Sequence, residues 1–217
     1  MEKRGVIKEE EKREMVVADV GVYQLTVGAD GGGGSVEDEI VTSTRLQTQD
    51  DFVIDDLANP IPIPAAGFNY SFWIHVYLKI ENIQDATQIN NVQLFCDGSI
   101  DWTFGAGGLL AVGQRDAGDH GCPMDASYEV ATGTIGTTGH YIGDGANGHT
   151  YYNGQTPPVL DIEGYVTGAR MDVDTTNHTI AEKCKAAVLQ VKLDTAANGA
   201  VQGLQADETL TFAYDEI

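Results

Sequence analysis

Apolar residues recur at every second position through most of this chain, and few stretches follow the spacing of about 3.6 residues that marks an amphipathic helix. The segment "FNYSFWIHVYLKIENI", residues 68–83, carries the alternation furthest. Phe68, Tyr70, Phe72, Ile74, Val76, Leu78 and Ile80 fall on one face, and Asn69, Ser71, Trp73, His75, Tyr77, Lys79 and Glu81 on the other. Period two in β-branched and aromatic residues predicts a half-buried strand. The run exceeds the usual strand length of about 5 to 6 residues, so one continuous strand is expected to cross a whole sandwich. Its second face, bearing Trp73 and Tyr77, is expected to be packed or to serve as an interface. The closing "ETLTFAYDEI", 208–217, sets Leu210, Phe212 and Tyr214 against Thr209, Thr211 and Ala213. A terminal strand frays unless it is held, and this one is expected to lie between two neighbours.

The same reading extends along the chain. In "MVVADVGVYQLTV" (15–27), Val20, Val22, Gln24 and Thr26 oppose Gly21, Tyr23, Leu25 and Val27. "NVQLFCDGSIDWTFGAGGLLAVG" (91–113) predicts a strand, a turn at Asp97-Gly98, and short strands around Gly105, Gly107 and Gly108. "AEKCKAAVLQ" also fits the opening of a helix, but it runs directly into alternating "LQVKL", which favours a strand. "GADGGGGSVEDE" is a loop by composition, and Pro60, Pro62 and Pro64 mark an extended connector. Roughly eight to twelve strands with turn signals between them predict an all-β fold, an antiparallel β-sandwich of jelly-roll or immunoglobulin-like type with long Gly-rich loops. The expected organisation is a charged N-terminal arm over 1–14 and one sandwich domain over 15–217, with a Gly/His-rich loop region at about 113–158.

Charge changes the picture at the N-terminus. Residues 1–14 hold five basic side chains, Lys3, Arg4, Lys8, Lys12 and Arg13, and five acidic ones. Subtracting these from the chain's 12 basic and 33 acidic residues leaves 7 and 28, so the rest of the chain carries the whole net charge of −21. Such a body repels phosphate backbones and has no basic stripe, which argues against nucleic acid as a partner. Solubility in a saline habitat and docking onto a basic surface both fit the acidity. The arm has no apolar face of its own, and its five basic residues, with Trp73 and Tyr77, are the expected interaction residues. No apolar run approaches the roughly 18 to 20 residues of a membrane span. The opening stretch also lacks the apolar core of a signal peptide, so export by the standard route is not expected. Cys96, Cys122 and Cys184 are odd in number and widely spaced, which favours reduced thiols over a disulfide framework. One bridge plus a free thiol is the alternative.

Chemistry-bearing motifs are sparse. No phosphate-cradling loop is present, because the glycines of "ADGGGGSVEDE" are followed by no Lys. His120 and Cys122 lie two apart in "DHGC", and His140, Asp144 and His149 follow. These are ligand types for a borderline ion, yet their spacing matches no standard finger or ribbon, so no metal and no other cofactor is assigned. "DGANG" (144–148), "DGSID" (97–101) and the acidic pairs within 50–56 offer oxygen ligands but no EF-hand loop. Tyr141, Tyr151 and Tyr152 among His140 and His149 leave open a surface that stacks on sugars. No nucleophile–base pair is identifiable, and no catalytic residue is assigned; the chain is not expected to be an enzyme.

Four segments together resemble virion proteins of tailed bacteriophages and related archaeal viruses: "ETLTFAYDEI", "NVQLFCDGSIDWTFGAGG", "ATGTIGTTG" (131–139) and "VLQVKLDTAANGAVQGLQADETLTF". The resemblance covers roughly residues 68–217 and rests on soft patterns without catalytic residues. It implies a β-sandwich closed by a small-residue loop and a final strand near "YDE". It further implies a structural subunit, capsid-decorating or head-associated, assembled in the host cytoplasm. Its partners would be the major capsid protein or other virion subunits, with itself as a homo-oligomer, and neither nucleic acid nor membrane. The competing expectation is an extracellular or surface carbohydrate- or calcium-binding adhesion module.

Overall fold

The computed structural model describes residues 17–26, 37–40, 46–48, 60–98, 105–113, 141–143, 160–202 and 208–217. The charged arm and the residues His120, Cys122, His140, Asp144 and His149 lie outside the described residues, as do Tyr151 and Tyr152. Among the described residues ten strands run in the order β1 (Asp19–Thr26), β2 (Glu37–Ile40), β3 (Asn69–Tyr70), β4 (Ile74–Asn82), β5 (Ile89–Cys96), β6 (Gly108–Gly113), β7 (Leu160–Asp161), β8 (Met171–Asp174), β9 (Lys183–Leu193) and β10 (Leu210–Glu216). Among the described residues the only helical pieces are two short 3-10 turns, Ile162–Gly164 and Ala196–Asn198. No helix there is long and apolar enough to cross a membrane.

All named strand pairs are antiparallel, and they form two sheets. The larger has the order β2-β1-β4-β9-β6-β7, with β3 also paired to β9, and the smaller has the order β10-β5-β8. The main core lies between them, as the alternation requires of a sandwich. Ile74, Val76, Leu78 and Ile80 of β4 meet Val92 and Leu94 of β5, Met171 and Val173 of β8, and Leu189 and Val191 of β9. Each such side chain contributes about 1.5 to 3 kcal/mol by leaving water, which makes this interlayer the main source of stability.

β9 is the central strand of the larger sheet, and both of its faces are buried. Its outer face packs Val188 with Trp73, Ala111 and Ile142, and Ala186 with Tyr77. Trp73 and Tyr77 are therefore fully buried among side chains of their own chain. Tyr23 of β1 stacks on Tyr77 with ring centroids 5.9 Å apart, and its hydroxyl donates to the Glu81 carboxylate.

The run 68–83 is not one strand. β3 pairs Tyr70 with Lys192, and β4 pairs Ile74 with Leu189, so three residues on one side oppose two on the other. That extra residue is a β-bulge, and it shifts the phase of the alternation. Phe72 consequently packs with the outer cluster around Trp73, and Ile74 begins the inner face. Ser71 fills the break: its hydroxyl accepts from Val191 N (2.9 Å) and donates to Phe72 O (2.7 Å). Gln190 braces the same place, donating to Ser71 O (2.9 Å) and accepting from Ile142 N (2.7 Å).

The closing strand also departs from expectation. Among the described residues β10 pairs with β5 alone, so it is an edge strand with one neighbour. It is held by its apolar face, where Leu210, Phe212 and Tyr214 rest on the core, and by its last residue. Ile217 N donates to Gln88 O (3.0 Å), and Ile217 O accepts from Gln88 N (3.2 Å) and from the Thr87 hydroxyl (2.7 Å). The "GAGG" segment is a close approach of two backbones. A β-carbon on Gly105 would sit 1.9 Å from Gly199 O, and one on Gly107 would sit 2.5 Å from Ala200 N. Only glycine fits at either position. From Lys183 onward "AEKCKAAVLQ" lies within β9, a strand as expected.

Candidate functional site

Residues 175–182 carry the chain from β8 in the smaller sheet to β9 in the larger one. Exposed residues fill most of this crossing, yet one side chain within it, His178, turns inward and is 4% exposed. Its backbone is fixed first. His178 exchanges two hydrogen bonds with Ile89 at the start of β5, N to O at 2.8 Å and O from N at 2.9 Å. The crossing is anchored again where Ile80 N donates to Glu182 O (2.9 Å). These contacts hold the imidazole over the end of the core.

Asp174, the last residue of β8, supplies the second group. Its Oδ1 accepts from Thr176 N (2.9 Å), a local turn that short acidic side chains favour, and its Oδ2 accepts from Lys185 N (2.8 Å). The Lys185 N–H reaches Asp174 because β9 bulges there. Tyr77 pairs with Ala186 and Lys79 with Lys183, which leaves Cys184 and Lys185 together opposite Leu78. The extra residue disturbs the ladder and changes the phase of the strand. Cys184 thereby points to the core face that Ala187, Leu189 and Val191 occupy further along.

The three side chains converge. His178 Nε2 lies 3.2 Å from Asp174 Oδ2, and Nδ1 lies 2.9 Å from Glu182 Oε1. One ligand atom each from Asp174, His178 and Cys184 lies within 4.8 Å of the others. The side chains of His178 and Asp174 are 5% and 2% exposed, whereas Glu182 is 41% exposed and marks the solvent margin of the cluster.

Electrostatics follow from this geometry. The Asp174 carboxylate beside it, then Cys184 and Glu182, push the His178 pKa up to about 11 against the opposing effect of burial. Burial acts to raise Asp174, but hydrogen bonds from His178, Lys185 N and Thr176 N outweigh it and hold that carboxyl well below the usual carboxylate range. Burial pushes the Cys184 thiol up, only partly offset by His178. The His178 ring thus lies between the Asp174 and Glu182 carboxyl groups, next to the Cys184 thiol. Both ring nitrogens are engaged, so no imidazole lone pair is free to take the thiol proton. The thiol is also fully buried. Cys184 therefore lacks what a nucleophilic cysteine needs, a lowered pKa and access to substrate. What the set does offer is oxygen, nitrogen and sulfur ligands around one point.

Sequence reasoning missed this cluster. The spacing of Asp174, His178, Glu182 and Cys184 in "DVDTTNHTIAEKCK" was its only signal, a histidine four residues from a carboxylate on either side in a strand–turn–strand context. The thiol state expected from cysteine count agrees with Cys96 and Cys184, which are free and buried. No protein-family model, no curated protein and no solved structure matches this chain.

Proposed function

We propose that this chain is a structural virion subunit, capsid-decorating or head-associated, that binds the major capsid protein or other virion subunits and copies of itself. The observation that carries the reading is the architecture. Two antiparallel sheets enclose one interlayer core, and the central strand of the larger sheet is buried on both faces. A central strand covered on both faces is stiff and suits a part whose task is to hold contacts in place. The acidic body suits a basic outer surface on a shell, and the charged N-terminal residues suit an arm lying along a neighbour.

Particles carrying the chain, isolated by density-gradient sedimentation and quantified by mass spectrometry, test the proposal. The expected result is a fixed ratio of this chain to the shell protein that survives repeated banding. Removal of residues 1–14 is expected to lower that ratio while leaving the melting temperature of the free chain unchanged. A chain absent from banded particles, and stabilised as a monomer by calcium or oligosaccharide, would replace this reading with that of an adhesion module.

A further inference from the structure

We propose that Asp174, His178 and Cys184 bind a single divalent cation of the zinc class at the crossing between the two sheets. The inference stands apart from the virion reading, since it concerns what holds residues 175–182 and not what the surface contacts.

The ligand set comes first. One carboxylate, one imidazole and one thiol present atoms within 4.8 Å of one another, and all three residues are buried. Mixed oxygen, nitrogen and sulfur donors suit borderline ions and disfavour calcium and magnesium, which take oxygen. In a tetrahedral zinc site, metal–ligand distances of about 2.0 to 2.3 Å place neighbouring ligand atoms about 3.3 to 3.7 Å apart. Asp174 Oδ2 and His178 Nε2 already stand at 3.2 Å. Cys184 Sγ completes the set with an inward movement on the order of 1 Å at most.

The surrounding contacts are those of a supported metal site. Metal-bound histidines usually give their second ring N–H to a carboxylate, which fixes the tautomer and turns the other nitrogen to the ion. Glu182 Oε1 at 2.9 Å from His178 Nδ1 is such a partner, leaving Nε2 to face Asp174. Thr176 N holds Asp174 Oδ1, so Oδ2 is the oxygen turned into the cluster. Oδ2 accepts Lys185 N (2.8 Å) and keeps a second lone pair for the ion. The β9 bulge brings in the sulfur. Three protein donors leave the fourth position of a four-coordinate ion to water.

The charges balance. On binding, the ion takes the place of the Nε2 proton and of the thiol proton, and both protons pass to solvent. Two positive charges arrive as two leave, so the cluster keeps the same net charge with and without the ion.

The test uses the full chain stripped with chelator and titrated with cobalt(II), which reports a thiolate ligand by a charge-transfer band in the near ultraviolet. The expected result is one cobalt per chain with that band, displaced by zinc, and a rise in melting temperature of about 5 °C or more under saturating zinc. The band is expected to be lost in Cys184→Ser and kept in Cys96→Ser and Cys122→Ser, the last separating this site from the thiol at 122. Should Cys184→Ser fold poorly, Glu182→Gln serves instead. It leaves all three ligands in place and is expected to weaken zinc affinity about tenfold. A wild-type chain that takes up no cobalt, a band that survives Cys184→Ser or vanishes with Cys122→Ser, or unchanged affinity in Glu182→Gln would overturn the proposal.

Discussion

β9 is braced by buried polar groups at two places, and they differ in kind. Toward its C-terminal end Gln190 makes a neutral brace, linking Ile142 N and Ser71 O through its amide. Toward its N-terminal end Asp174, His178 and Glu182 make a charged brace, with Lys185 N drawn into it. Each tethers a connecting segment to the same strand, and each stands beside a β-bulge in the β3/β4–β9 ladder. A neutral amide satisfies its neighbours with two hydrogen bonds and brings no charge into the core. The charged brace has to neutralise what it buries, so each member depends on the others. The comparison therefore predicts one brace that fails gradually and is indifferent to pH, and one that fails abruptly and responds to protons.

The largest effect is expected at Asp174. Its replacement by Ala strips the acceptor from Lys185 N, Thr176 N and the imidazolium together. Breaking a buried pair by removing one partner costs about 3 to 5 kcal/mol. Urea denaturation in the presence of chelator measures it, and a loss below about 1 kcal/mol would mean that the imidazolium is not held by Asp174. The neutral counterpart is Gln190→Leu, which conserves size and leaves Ile142 N without that acceptor. A loss of about 1 to 3 kcal/mol is expected. If it matched or exceeded Asp174→Ala, charge would not be what separates the two braces.

Protons sharpen the difference further. His178 faces Asp174, Glu182 and Cys184, and its pKa in the folded chain stands at about 11, above the unfolded value of about 6.5. Its stabilisation is full below about 6.5 and is lost as pH rises through about 11. Asp174 has the opposite sign: depressed on folding, it stabilises above its ordinary range near 4 and loses that as pH falls. The gap in stability between the wild type and His178→Ala, both in chelator, is expected to be widest near pH 5 to 6 and to close toward pH 11. Taking the difference removes the shared titration of the chain's other carboxylates. For Gln190→Leu the same gap is expected to stay flat, and a slope there equal to that of His178→Ala would erase the distinction.

The alternation along the sequence was enough to place the chain among antiparallel β-sandwiches, since period two assigns each apolar residue to a face without knowledge of its partner. The inner face of β4, from Ile74 to Ile80, follows it residue by residue. What alternation cannot carry is a change of phase. The bulges at 71–73 and at Cys184–Lys185 each insert one residue, so Phe72 and Cys184 turn to faces that the even count would not give them. The edge position of β10 was equally hidden, because a strand with one neighbour and a strand with two share the same pattern. The cluster around His178 escaped for a related reason. Its members come from a strand end, a turn and a bulge in two different sheets, and no local period joins them. The residues weighed in the sequence as ligand types, His120, Cys122, His140, Asp144 and His149, to which no metal was assigned, lie outside the described residues.

The smallest effect is expected at the margin of the charged brace. Glu182 contacts His178 Nδ1 at 2.9 Å, a shorter separation than that of Asp174, yet its side chain is 41% exposed. Water screens it and takes over part of the contact when it is lost, so distance and burial point in opposite directions. Burial decides, since an exposed ion pair contributes about 1 kcal/mol or less. Glu182→Gln keeps an oxygen in place and is expected to cost less than that in chelator, well under the loss at Asp174. The two carboxylates on one imidazole thus make an internal control, alike in chemistry and different in solvent. Equal losses at both would show that the enclosing core contributes nothing to the strength of the pair, and the contrast between the charged brace and the neutral one would then have to be sought in hydrogen-bond count alone.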